Sequence, residues 1–333
     1  MGEFALTLPV GSNSADLIEA NTLLWVDKAD WLLVRNVHAD HQLYTVTGHD
    51  LKGLLADRIT LYGHEQDTGT YGYDVVQGST ETVLKHYIAN NLTAPEDENR
   101  RIRGLILAAD QGRGLASDTY MSRFQPLHEL AEAVCKNGKI GYDITADLSL
   151  NKMIFDVVTG VDRSKGQASV NRVVFSRKFK NVLSLERESG ITANKNVFYA
   201  TKSGGTLESD ATTVMVSGEE EVPAGINRRE MQLNVSCDSV ADIETYALKD
   251  VNDYAKTDSF VVSPGSFDDY GPVYSLGDKV TIEDEALNVT LDAVIAEAEK
   301  SITPEGRTLT LTFGTKKPRI LNQLNIKINN KGV

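Results

Sequence analysis

The residues with the most chemical potential are a histidine and a cysteine. His128 and Cys135 stand seven positions apart in a segment of helical period, so both fall on one face of the expected helix. An imidazole beside a thiol can take its proton and leave a nucleophilic thiolate, the chemistry of a thiol protease. Cys135 also lies on the apolar stripe of that helix, where a buried, inert thiol is ordinary. A second set, His49, Asp50 and His86, could serve hydrolysis, but no serine stands in a nucleophile elbow to complete it. Asp268-Asp269 and Glu283-Asp284-Glu285 could bind calcium or act as acid and base on a sugar. Neither has ligands at the alternate positions of a calcium loop, so both read as solvated turns. Gly112-Arg113-Gly114 has glycines of a phosphate loop without the Lys-Ser/Thr that must follow. The sequons at Asn91, Asn234 and Asn288 matter only on a secretory route. The residues assign no catalytic, cofactor-binding or metal-binding site, and no cofactor.

Composition narrows the classes. Lys plus Arg is 34 against 47 Asp plus Glu, a formal charge of −13. Such a surface repels nucleic-acid phosphates. Arg100-Arg101-Ile102-Arg103 is the one dense basic cluster, and it follows Glu96-Asp97-Glu98, as in a solvated charged loop. No apolar run approaches the roughly 20 residues of a membrane helix, so no membrane insertion is expected. The start lacks a basic region followed by an apolar core and is not a secretory signal. Cys135 and Cys237 lack metal-type spacing and read as free thiols of a protein made in a reducing cytoplasm.

The elements that must position these residues are mostly strands. Leu23–Val26, Trp31–Val37 and Leu43–Thr47 form a hairpin series, followed by a short helix that Asp50 caps. Gly63 to Gly78 is polar and reads as a loop. Ser79 or Thr80 caps a helix with Val83, Leu84, Tyr87 and Ile88 on one stripe. A second helix runs from about Phe124 to Asn137, with Gly138 ending it. Strands follow near Lys139–Ile144 and Lys152–Val158. From 170 onward the candidates are Arg172–Ser176, Val182–Glu188, Asn196–Ala200, Thr213–Ser217 and Glu230–Val235. Ser239 caps a helix over Ala241–Ala255, with Ile243, Leu248 and Val251 inward. Leu291–Ile295, the turn at Pro304-Glu305-Gly306 and the alternating Thr308–Phe313 make the clearest hairpin.

Several segments together resemble a siphophage tail-hub family, the tail-tip or baseplate hub of prophages and phages. They are Gly2-Glu3-Phe4 with Leu6-Thr7-Leu8-Pro9, Thr45 to Leu55, Ile102-Arg103-Gly104-Leu105 through Gly114, Phe175 to Leu183, Tyr274 to Val280, and Leu311-Thr312-Phe313-Gly314. They occur in the family's order over nearly the whole chain. The resemblance implies an α+β, mostly β fold: two antiparallel, tube-like β-barrel domains with an α/β domain between them. The expected division is a first barrel at 1–60 and an α/β domain at 61–165. A second barrel follows at 166–238 and 275–316, with an insertion at 239–274 and a C-terminal arm at 317–333. Family members carry a further strand before the Gly-Glu-Phe point, so the first barrel is expected to lack it. The resemblance also implies a non-catalytic homotrimer in the virion tail, made in the host cytoplasm. It would continue the tail tube and organise the baseplate, letting DNA pass without specific binding. Its partners would be the distal tail ring protein, the tape measure and fibres or receptor-binding proteins. The alternatives are a cell-wall hydrolase, using His128 and Cys135, and a carbohydrate-binding module using aromatics such as Tyr71, Tyr73 and Tyr270.

Overall fold

A computed structural model of the chain describes residues 1–13, 15–27, 30–61, 72–191, 194–202, 214–217, 221–235, 243–244, 247–248, 254 and 257–315. The chain divides into two compact units, Met1–Gly160 and Val161–Val333. The architecture is α+β and mostly β, built on two curled sheets.

The first unit opens with β1 (Glu3–Pro9), β2 (Leu23–Asp27), β3 (Asp30–Ala39) and β4 (Leu43–Asp50). Their order in the sheet is β1-β4-β3-β2, antiparallel throughout. In β1 the period of two leaves Phe4, Leu6 and Leu8 half-buried and their neighbours exposed. Gly48 is paired with both Phe4 and Val34, where β3 bulges. A Cβ there would meet Leu33 O at 2.1 Å and the Phe4 ring at 2.8 Å. Gly48→Ala must push two strand backbones apart, so a loss of about 1–3 kcal/mol is expected. An unchanged urea midpoint for this variant would contradict so close an approach.

Asp50 then caps a 3-10 turn, Leu51–Leu55, accepting from Lys52 N at 3.2 Å. The rest of the unit carries β5 (Asp74–Gly78), α1 (Thr80–Ile88), β6 (Leu105–Leu107), β7 (Asp118–Ser122), α2 (Leu127–Gly138), β8 (Gly141–Asp147) and β9 (Lys152–Val158). β5 pairs with β7, and β6-β9-β8 form a three-stranded sheet. Ser79 caps α1 by accepting from Thr82 N at 3.1 Å. The stripe Val83, Leu84, Tyr87 and Ile88 is buried as its spacing requires, against Leu127 and Phe155 among others. β5 lies wholly inside the stretch expected as a loop, because Val75 and Val76 sit among polar residues that hide so short a strand. Helix α2 ends differently from expectation. Gly138 is still helical, and Lys139 takes the left-handed conformation at φ 52°. Glycine is required at 138 because a Cβ would come within 2.3 Å of the Thr80 side chain at the start of α1.

The second unit contains β10 (Val174–Ser176), β11 (Val182–Gly190), β12 (Val197–Lys202), β13 (Val214–Ser217), β14 (Glu230–Val235), β15 (Thr257–Pro264), β16 (Lys279–Asp284), β17 (Val289–Thr303) and β18 (Gly306–Thr315). Six of them form the sheet β10-β16-β17-β18-β15-β11, and β13-β12-β14 form a smaller one. Most pairs are antiparallel; β6–β9, β10–β16 and β12–β14 are parallel. β15 falls within 239–274, yet it is an inner strand of the large sheet, because Phe260 and Val262 alternate into its core. In the same stretch Ile243–Glu244 and Ala247–Leu248 are helical. Ile243 and Ala247 are buried one turn apart, while Leu248, expected to face inward, is 47% exposed. Val251, Cys237, Tyr71 and the arm at 317–333 lie outside the described residues.

Candidate assembly surfaces

Several of the residues that could have done chemistry are engaged in other contacts, while His49 and His128 each bury a ring nitrogen without a partner. His128 and Cys135 are both on α2. Cys135 is buried, and that burial, with the charge of Glu132 adding to it, pushes its thiol up to about 12. A thiol so rarely ionised near neutral pH is no nucleophile. Native protein is therefore expected to react with a thiol reagent at Cys135 only as it unfolds; rapid stoichiometric labelling there under native conditions would contradict this burial.

His86 binds Asp74 at 2.7 Å and Asn90 at 3.1 Å, away from Asp50. Asp50 accepts from Gly2 N at 2.8 Å and faces Lys52 Nζ at 3.1 Å. Asp50 is spent on the end of β4 and on the cap that follows it, while the Nδ1 of His49 beside it is buried without a hydrogen-bond partner. Asp268 pairs with Arg307 at 3.2 Å, Glu283 with Lys165 at 2.6 Å and Asp284 with Arg177 at 3.0 Å. Among the described residues no cluster of three His, Cys, Asp or Glu side chains could hold a metal ion. Tyr73 and Tyr270, expected as exposed aromatics, are half-buried. Arg123 covers one face of the Tyr73 ring at 4.7 Å and Lys300 one face of the Tyr270 ring at 5.2 Å.

Arg113, between its two glycines, wraps around Glu81 instead of a phosphate. Its Nε donates to Oε2 at 2.8 Å and its Nη2 to Oε1 at 2.7 Å. Lys85 Nζ donates to the same carboxylate at 2.6 Å, to Asp156 at 3.1 Å and to the carbonyls of Ala108 and Ala109. Hydrogen bonds from Arg113, then from Lys85, hold the Glu81 carboxyl well below the usual range despite its full burial. Burial opposes the charge of Asp156, but bonds from Arg113 and Lys85 outweigh it and lower its pKa too. The bond to Glu81 raises Arg113 in turn. This cluster ties α1 to the loop after β6 and to β9, and its charges are used up internally.

What the structure leaves open is strand edge. β2 is an edge of the first sheet and β11 an edge of the large one. Both are bulged at an exposed apolar residue: the register skips Val26 between Trp25 and Asp27, and Leu183 between Val182 and Ser184. Trp25 is 59% exposed and stacks on Trp31 at 6.1 Å, and Leu183 is 77% exposed. Beside Leu183 a groove of about 270 Å³ runs between Ser263, Pro264, Phe267 and Leu309. Both strands are recognisable in the sequence, but not as edges, because strand order is set by pairing far along the chain.

The model of the family described as Siphovirus ReqiPepy6 Gp37-like protein matches residues 1–315. The chain belongs to this siphovirus family. No curated protein matches it. Among solved structures, the 43 kDa tail protein of prophage MuSo2 from Shewanella oneidensis is 11% identical, with a TM-score of 0.50 over 94% of this chain and 87% of that one. Prophage tail protein gp18 from Listeria monocytogenes EGD-e is 12% identical, with a TM-score of 0.51 over 99% and 90%. The tail protein from Neisseria meningitidis MC58 is 14% identical, with a TM-score of 0.50 over 86% and 80%. At these identities the likeness is one of fold: this family member has the fold of prophage tail proteins. The ordered segments that resemble a siphophage family are thus a correct guide to both family and fold.

Proposed function

We propose that this chain is a structural, non-catalytic component of a phage tail tip, three copies of which close into a hub that continues the tail tube. The observation that carries this reading is a prophage-tail fold along nearly the whole of a siphovirus-family chain. The sheet of β1–β4 and the six-stranded sheet are the two tube-like domains of each subunit, so three subunits give a ring of sixfold character. The α/β segment from β5 to β9 and the β12–β14 sheet decorate that ring. Edge strands add neighbours readily, and bulges at β2 and β11 break the flat hydrogen-bonding row that would otherwise template open-ended growth. They suit a closed ring with a fixed register. The net charge of −13 suits a conduit that DNA must slide through without sticking. Other tail proteins dock on the ring's two ends, and the chain resides in the virion tail.

Light scattering on purified protein tests the assembly. Wild type is expected at the mass of three chains, and Leu183→Glu at that of one, because a charge at the exposed bulge is poorly tolerated in a packed interface. A strict monomer at high concentration would overturn the trimer. A Leu183→Glu protein that stays trimeric would overturn the use of β11.

A further inference from the structure

The basic run Arg100-Arg101-Ile102-Arg103 takes no part in the hub reading. Arg100 and Arg58 cross one another in the first unit. Arg100 Nη2 donates to Ile59 O at 2.6 Å, and Arg58 Nη2 reaches Arg100 O at 3.4 Å. Arg58 Nη1 also donates to the carbonyl of Asp57 at 3.1 Å. These bonds leave most donors of the two guanidinium forks unused. Nε of Arg58 and Nη1 of Arg100 are buried with no acceptor at all.

The pair is set apart by these buried, unpartnered nitrogens. Arg35, Arg113, Arg163, Arg177, Arg228 and Arg307 each face a carboxylate. Among the described residues neither Arg58 nor Arg100 takes part in an ion pair. Burial, then the charge of Arg58, pulls the Arg100 pKa below its ordinary value, and the more distant charge of Asp97 does not offset them. The segment carrying Arg58 is also bound to the start of α2, where Leu127 N donates to Arg58 O at 2.9 Å. That helix start has no side-chain cap, so its N–H groups add positive potential to the same segment. Two like charges, hidden donors and an uncapped helix start are costly together unless an anion joins them.

We infer that Arg58 and Arg100 form an oxyanion-binding clasp that takes a carboxylate or phosphate group between their forks. Planar guanidiniums match both groups in paired hydrogen bonds. The net charge of −13 argues against a polynucleotide as the source of the phosphate. The clasp stands on these contacts alone and does not depend on the hub reading.

Calorimetric titration and thermal melting, with inorganic phosphate and with a hexaglutamate peptide, test it at ionic strength matched with chloride. Wild type is expected to bind and to melt higher as ligand rises. Arg100→Gln and Arg58→Gln should each weaken binding about tenfold or more, the loss of a charge-assisted bond. Arg100→Lys, which keeps the charge and loses the fork, guards against a folding defect and should bind between the two. Arg103→Gln should bind as wild type. Binding of phosphate alone assigns a free oxyanion; binding of the peptide in competition with phosphate assigns a carboxylate from another chain. No binding of either, or equal binding by Arg100→Gln and wild type, overturns the clasp.

Discussion

Glu81→Ala is expected to lower the stability of the first unit by about 3–5 kcal/mol, the usual cost of removing one partner from a buried ion pair. The carboxylate is fully buried and is the common acceptor of Arg113 and Lys85. Its loss leaves two cations facing Asp156 alone, with Lys85 still buried. Glu81→Leu combined with Lys85→Leu should be less damaging than Glu81→Ala, since the buried charge and its partner leave together. Both tryptophans, Trp25 and Trp31, lie in this unit, so their fluorescence follows its unfolding in urea. A shift of the unfolding free energy below about 1 kcal/mol would show that the cluster contributes no more than a surface pair. The pH dependence has a fixed sign. The folded pKa of Glu81 is depressed, so its contribution is complete above the ordinary glutamate value, about 4.3. It is lost as pH falls from there toward the folded pKa. Wild type should therefore lose stability on acidification more steeply than Glu81→Ala; parallel acid profiles would contradict the network.

Phe313→Ala is expected to cost the second unit a similar amount, about 3–5 kcal/mol. Phe313 is fully buried on β18, opposite Phe260 of β15 and Ile295 of β17. Its ring lies 5.8 Å from that of Phe175, which in turn meets Tyr274 edge to face at 5.2 Å. Four strands thus meet around this side chain, and truncation leaves a cavity that paired backbones cannot close. Phe313→Leu, which keeps most of the volume, should cost about 1.5 kcal/mol or less. Denaturant unfolding followed by circular dichroism reads both. Equal losses for Ala and Leu would mean that the site relaxes and no cavity forms.

These two sites differ in how far the sequence announces them. The alternation of Leu309, Leu311 and Phe313 marks an inward face by its period alone, and β17 and β18 form the expected hairpin. Helix α1 is as legible, because Ser79 and the apolar stripe lie within one short window. The Glu81 cluster is not. Arg113 lies 32 positions from Glu81, and its flanking glycines point toward a different chemistry. Gly138 has the pattern of a helix stop, but its use is close approach to Thr80, a tertiary demand that looks the same in sequence. A preceding helix makes β15 look like part of an insertion; pairing with β11 and β18 decides its place. Leu183 shows the limit most directly. In sequence it is one more apolar strand residue, and only a bulge on an edge strand turns it outward. The Arg58–Arg100 pair, 42 positions apart, is equally silent in sequence, since what distinguishes it is two buried guanidinium nitrogens without an acceptor.

The central claim is a place and a stoichiometry: a closed ring of three chains at the tip of a tail. Electron microscopy of intact particles tests it most directly. The expected result is a tail-tip ring containing three copies of this fold, with its strands running on from the tube. A tail without this chain, or a tip holding it in any other copy number, would contradict the hub.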